Sequence, residues 1–357
     1  MACASDQECP PVRGCPSRAA AAPISSLLLC HPVSVAAAGP DRAPVDVQEV
    51  EARAAPDEVL ARFHALEAVC HDELEPGEPL RGAEEAIAFY RHQPTTHTSC
   101  HWLADGGGGS LYVHGPSAAF LHLLIEPERR RQGIGTALLD RVVERCRELG
   151  VEALRGHHTT AAGTAFAASV GAVDEQRVVR SLLDLPGAEL PEPRLPEGFR
   201  LVTWLRRVPD EHLGAYVRAR AAMDDAPSPE GMDFPTWTAE KVRASEESLA
   251  RREREMRLTV AVDEHGGIGA FTELRVSRSS TLGFTDDTGT VAARRGLGLA
   301  RAVKLESLRR LRADHPEVDV VSTSNAEENA VMRHLNESIG FRTTAIVTSA
   351  VLYLGHA

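Results

Sequence analysis

Apolar residues recur at helical spacing as soon as the chain becomes periodic. In PDEVLARFHALEAVCHDEL they fall at Val59, Leu60, Phe63, Leu66 and Val69, which predicts an amphipathic helix. GAEEAIAFYRHQ, residues 82–93, predicts a second helix that Pro94 helps to stop. SCHWLAD, GGGGS and LYVHG then read as strand, turn and strand, with Gly106 to Gly109 as a flexible hairpin loop. AAFLHLLIEP has the length of a buried strand, and Pro127 ends it. A helix follows, with Leu138, Leu139, Val142, Val143 and Cys146 on a broad apolar face and Gly150 as its C-terminal cap. VEALRGH predicts a strand, AAGTAFAASVG a short helix and VVRSLLDL a closing strand, while His157-His158 reads as loop.

The order then repeats. PGAELPEPRLPEG, residues 186–198, carries four prolines and reads as a stiff linker rather than a packed element. FRLVTW is a strand, PDEHLGAYVRARAAMDD a helix, and TAEKVRASEESLARREREM a charged helix with a solvated face. LTVAVDEHGGIGAFTELRV predicts a hairpin across residues 264–267. TGTVAA leads as a strand into a helix from RRGLGLARAVK, and then come a strand, a helix and a tail, FRTTAIVTSAVLYL, that reads as a strand pair. Gly133 and Gly298 match at a separation of 165 positions, so the repeat is a duplicated domain rather than a solenoid. The expected organisation is a unit over 45–185, the linker and a unit over 199–357, in an α/β (α+β) class. Residues 1–44 show no sustained period and read as a disordered N-terminal extension.

Composition narrows the function classes. The 357 residues carry a net charge of −12, so most of the surface repels a polyanion and nucleic acid is not an expected partner. A local arginine cluster can still hold a small anion. Seven cysteines, four of them within the first thirty residues, form no C-x-x-C, which predicts no metal and no disulfide framework. No run approaches the roughly 20 apolar residues of a membrane span, and residues 23–39 are too interrupted for a signal peptide. A cytoplasmic location is expected.

Candidate chemistry centres on RRRQGIGTALL, residues 129–139, and its echo RRGLGLARAVK, residues 294–304. A strand that enters a helix through Arg-x-x-Gly-x-Gly exposes backbone N–H groups at the positive end of the helix dipole. Glycines let a pyrophosphate approach that backbone closely. One such motif is weak evidence, but two copies in the same order of elements are stronger. No G-x-S-x-G, H-E-x-x-H or P-loop occurs, which disfavours hydrolase and kinase chemistry.

These residues carry a family resemblance. Arg130, Gln132, Gly133, Ile134 and Gly135 resemble the R/Q-x-x-G-x-G/A signature of the Gcn5-related N-acetyltransferases (GNAT), and Arg295, Gly296, Leu297, Gly298, Leu299 and Ala300 look similar. The resemblance covers about 45–357 in two units, an arrangement similar to the tandem acyltransferases of actinomycetes, including mycothiol synthase. It implies two tandem GNAT-like domains, each a mixed, mostly antiparallel sheet with helices on both faces and a splayed central strand pair. It also implies acetyl-CoA as co-substrate, its pantetheine along Ile125 or along Thr290 and Val291. The pyrophosphate would sit on the amides of 132–136, which include Thr136, or of 297–301. An amine would attack the thioester directly. Asn325, Asn329 and Gly340-Phe341 resemble the family's later strand and helix.

The sequence also departs from the family pattern. The Tyr that many members place four residues before the Gly of Gly-Phe is replaced by Asn336 in the second unit and Ala167 in the first. Base candidates are Glu273, Asp286 and Asp287 in the second unit, and His122 and Glu126 in the first, where alternation puts both on one face of the strand. The first unit has Ala172 where Phe is expected and no Asn, which points to the second unit as catalytic. The fuller cradle nevertheless belongs to the first. The acceptor is a small amine, expected near residues 223–232, and the protein is a monomer or homodimer. A non-catalytic CoA-binding, sensing or interaction protein is the alternative.

Overall fold

The same ten elements occur twice, in the same order. A computed structural model describes residues 44–225, 227, 236–277 and 280–355. The extension expected over 1–44 therefore lies almost wholly outside the described residues. The first series is β1 (Gln48–Val50), α1 (Asp57–Leu74), α2 (Ala83–Arg91), β2 (Thr98–Ala104), β3 (Gly107–Gly115), β4 (Ala118–Ile125), α3 (Ile134–Glu148), β5 (Ala153–His158), α4 (Ala161–Ser169) and β6 (Val173–Asp184). The second is β7 (Phe199–Leu205), α5 (Asp210–Arg220), α6 (Ala239–Arg251), β8 (Arg254–Asp263), β9 (Ile268–Ser277), β10 (Leu282–Thr290), α7 (Leu299–Asp314), β11 (Val320–Ala326), α8 (Ala330–Ile339) and β12 (Arg342–Tyr353). Among the described residues no helix is long and apolar enough to cross a membrane.

The described strands join in one mixed sheet of order β1-β2-β3-β4-β5-β12-β6-β11-β10-β9-β8-β7. The order reads the same from either end when each strand is replaced by its repeat. At the centre the last strand of each series crosses over. β12 pairs with β5 of the first half, β6 pairs with β11 of the second, and β6 and β12 pair with each other, all antiparallel. The parallel pairs are β4 with β5 and β10 with β11, and both are short. Pairing stops at Leu121↔Gly156 in the first half and at Thr285↔Thr323 in the second. Beyond those points the strands splay.

The apolar stripes explain where the helices sit. Leu138, Leu139, Val142, Val143 and Cys146 of α3 pack on one face of the first half against Trp102, Leu111 and Leu154. Leu60, Phe63, Leu66 and Cys70 of α1 pack on the other against Leu103 and Leu124, while Val69 turns outward at 57% exposure.

Several expectations need correction. Gly107, Gly108 and Gly109 are buried strand, and only residues 105–106 turn. A Cβ at Gly107 would meet Ile134 Cγ2 at 2.6 Å, and one at Gly108 would meet Leu66 Cδ1 at 2.9 Å. The missing side chains thus let α3 and α1 approach β3 from opposite faces. The tail is one twelve-residue strand, not a pair. The proline segment is packed: Leu190 is buried, Arg309 donates to its carbonyl at 2.8 Å and Arg312 to that of Ala188 at 2.8 Å. The charged helix ends at Arg251 and buries Val242, Glu246, Ser248 and Leu249.

The crossed strands make each half depend on the other. Residues 45–185 expressed alone leave β5 without β12 and β6 without β11. Size-exclusion chromatography of that fragment is expected to give dimers or aggregates joined through the exposed strands. A cooperatively folded monomer would contradict the exchange.

Candidate active site

The chain leaves β4 through one 3-10 turn, Pro127–Arg129, passes an extended Arg130, and enters α3 through Gly133. Arg131 and Gly133 both hold left-handed backbone, at φ +64° and +89°. The second copy repeats this conformation: Ala292–Arg294, an extended Arg295, then Gly296 at φ +77° and Gly298 at +75°. Arg131 therefore holds a conformation that costs an L-residue about 1–2 kcal/mol, at a position where the second copy uses glycine. Left-handed residues beside a helix N-terminus turn successive N–H groups toward one point, which makes an anion nest.

A cavity of about 420 Å³ follows the first nest, lined by Ile125, Arg130, Gly133, Ile134, Gly135 and Thr136, with Thr160 and Phe166 of α4 opposite. Gly135 lets Phe166 lie close, since a Cβ there would press on its ring at 3.2 Å. Gln132 faces a separate hollow with Asp46 and Arg62. Arg130 is committed to Glu73, donating at 3.0 and 2.6 Å, and so fastens the nest to α1.

A second cavity of about 470 Å³ adjoins the first and shares Leu123, Leu124, His157, His158 and Phe166 with it. It occupies the gap where β4 and β5 part. His122 of β4 and His157 of β5 project into it from the two walls. Both are open to solvent inside the cleft, yet the surrounding protein desolvates them and lowers both imidazoles below their ordinary value. Glu67 opposes the shift at His122, while His122 and Arg180 add to it at His157. His157 and His158 lie in β5, not in a loop; the strand expected over VEALRGH runs one residue further, to His158. His158 is engaged with Asp174 at 2.9 Å and Thr164 at 3.1 Å.

The splay of the second half looks different. Asp286 and Asp287 sit in a bulge of β10 opposite Glu273 of β9. Glu273 is buried and accepts from Tyr216 at 3.2 Å, Arg220 at 3.3 Å and Arg275 at 2.9 Å. Burial alone would raise its carboxyl, but Arg275 and Arg220 hold it below its ordinary value. Asp287 binds Arg220, whose guanidinium also stacks on Trp237 at 3.7 Å. Burial pushes Asp286 up to about 6; Arg275 opposes this, and Asp287 and Glu273 add to it. Asn336 is buried and donates to Asn325 at 2.6 Å, and Asn329 caps α8 by accepting from Met332 N–H at 3.2 Å. Thr290 ends β10, and the N–H of Val291 donates to Gly269. Leu297 is exposed ahead of α7, and Leu299 and Ala300 form its first turn. The acceptor region expected at 223–232 falls mostly outside the described residues. Among those described, no cluster of His, Cys, Asp and Glu is placed to hold a metal.

Residues 66–168 match the acetyltransferase (GNAT) family. A mycothiol acetyltransferase of Saccharomonospora viridis is 28% identical over 235 residues, 62% of this chain and 70% of the relative. Residues 66–168 thus carry a GNAT acetyltransferase domain. A second mycothiol acetyltransferase, from Mycobacterium ulcerans, is 30% identical over 135 residues, 36% of this chain and 41% of that protein. Two solved structures share the fold. A tandem GNAT protein from the clavulanic acid biosynthesis pathway matches with a TM-score of 0.75 at 24% identity, over 88% of this chain and all of that one. A GCN5-related N-acetyltransferase from Sphaerobacter thermophilus matches at 0.65 and 17%, over 87% and 96%. GNAT chemistry implies an acyl-CoA donor and an acceptor.

The Glu273 network has a structural consequence. Removing the carboxylate leaves the buried Arg220 and the half-buried Arg275 with less compensation, so Glu273→Ala is expected to lower stability by about 3–5 kcal/mol in urea unfolding. A change below about 1 kcal/mol would show that the network contributes little to the fold.

Proposed function

We propose that this GNAT protein transfers an acyl group from acyl-CoA, acetyl-CoA being the simplest donor, to a primary amine of a small molecule, and that the transfer runs in the first half. One observation carries the assignment. In the first half the nest, the splayed strands and two imidazoles lie along one continuous cleft. The sequence pointed instead to the second half, on its Asn residues and Gly-Phe. The engaged contacts of Asn336 and Asn329 give those residues a structural explanation.

In this reading the N–H groups of 132–136 hold the pyrophosphate. Ladder pairing between β4 and β5 ends at Leu121, so backbone groups of His122 to Ile125 that would continue it face the cleft. A donor among them can polarise the thioester carbonyl, and holding both reactants in the cleft supplies much of the acceleration. The neutral imidazole of His122 takes the proton that the amine loses as its nitrogen bonds to the acyl carbon. The C–S bond breaks and the thiolate leaves. The relatives named as mycothiol acetyltransferases make a mycothiol precursor a candidate acceptor.

A second reading keeps catalysis in the other half, favoured by Asp286, a carboxyl held near neutrality in the bulge of the splay. Thiol release with acetyl-CoA and an amine panel separates the two. Gly133→Glu, which places a carboxylate in the first nest, is expected to abolish turnover, and Gly298→Glu to retain most of it. The reverse pattern assigns the chemistry to the second half.

His122 gives a further test. Desolvation lowers its imidazole below the ordinary value, so the base form predominates at neutral pH and kcat at saturating amine should fall as His122 protonates on the acid side. His122→Asn is expected to lower kcat by about 10²–10⁴ and to remove that acid limb. An unchanged pH profile would remove His122 from the reaction.

A further inference from the structure

The first cleft is larger than an acetyl group requires, and the internal repeat shows why. Past the junction of the two cavities, the side facing α3 and α4 continues as a recess walled by Leu139, Leu154, Val170, Ala172 and Leu352. All five belong to or pack on the apolar core beneath α3. His122, His157 and Arg180 stand on the opposite face of the sheet, where Arg180 donates to the carbonyl of Leu74 in α1 at 3.1 Å. The recess is therefore apolar apart from His158 at its edge, which is tied to Asp174 and Thr164, and His122, His157 and Arg180 stay with the incoming amine.

The second half shows the same place filled. Gly171 and Gly340 end α4 and α8 with left-handed backbone, and the next residue is Ala172 in one and Phe341 in the other. Leu139 likewise corresponds to Lys304, and Val170 to Ile339. Phe341, Ile339 and Lys304 are all buried, and the Lys304 ammonium lies 5.6 Å from the Phe341 ring centre. Val170 and Ala172 are only partly buried. A methyl group in place of a phenyl ring thus keeps the first recess open.

We propose that the first half accepts acyl-CoA donors with straight apolar chains longer than acetyl, the chain running into the recess that Ala172 leaves open. This rests on the first half being the acyl-CoA site. The whole cavity of about 470 Å³ equals roughly fifteen water volumes at about 30 Å³ each, room for several methylenes. Each methylene moved from water to apolar surroundings strengthens binding by up to about fourfold.

Calorimetric titration of the full chain with CoA and with acetyl-, butanoyl-, hexanoyl- and octanoyl-CoA tests the proposal. Octanoyl-CoA is expected to bind at least about tenfold more tightly than acetyl-CoA. Ala172→Phe, which copies the second half, and the milder Ala172→Leu should each cut that preference at least about fivefold. Acetyl-CoA binding with no gain from chain length would overturn the proposal, as would a preference that survives both substitutions. If Gly133→Glu leaves binding of every thioester unchanged, the first-half assignment itself fails and the proposal falls with it.

Discussion

Everything distinctive about this molecule follows from where two parallel strands stop pairing. β4 and β5 share a ladder only to Leu121↔Gly156, and β10 and β11 only to Thr285↔Thr323. A parallel pair that ends in mid-sheet leaves backbone groups facing a gap, and unpaired buried backbone is costly unless something else bonds to it. In the proposed reading the gap receives an extended, amide-bearing ligand such as pantetheine. The left-handed residues at the ends of β4 and β10 place an anion nest at the mouth of each gap. Length, polarity and charge of a CoA thioester match that sequence of features.

The sheet continues across the gaps because the halves exchange their last strands. β12 supplies Val347, Ala350 and Leu352 to the lining of the first cleft, so that cleft contains residues from both repeats. Side-chain hydrogen bonds bridge the halves as well: Ser322 of β11 donates to Glu78 at 2.8 Å, and Ser248 of α6 donates to the carbonyl of His92 at 2.7 Å. Within this shared frame the copies have diverged. The first has Ala172 and the imidazoles of His122 and His157 along its gap. The second placed Phe341 and Lys304 beneath it and a buried arginine–carboxylate network beside it. Such networks need partners for every charge, which ties Glu273, Asp287 and Arg220 to one another.

Much of the fold was legible because period and punctuation agreed. The α3 stripe, the Gly133 and Gly298 helix starts and the duplication could all be read from residue spacing. What could not be read depended on partners distant in sequence. Gly107 to Gly109 looked like a loop because glycine runs usually are, and only the approach of Ile134 and Leu66 explains them as strand. The tail FRTTAIVTSAVLYL looked long for one strand, since its two neighbours belong to different repeats. His157 and His158 looked like loop, although they close the strand VEALRGHH. Ala172 was noticed but read as loss of a family feature. In three dimensions the same residue opens a recess.

The central claim is that the first of the two gaps binds the acyl donor. Hydrogen–deuterium exchange of the full chain with and without acetyl-CoA addresses it residue by residue. The account predicts slowed exchange over 123–136 and 156–160, with little change over 288–301. Protection confined to 288–301 would contradict it.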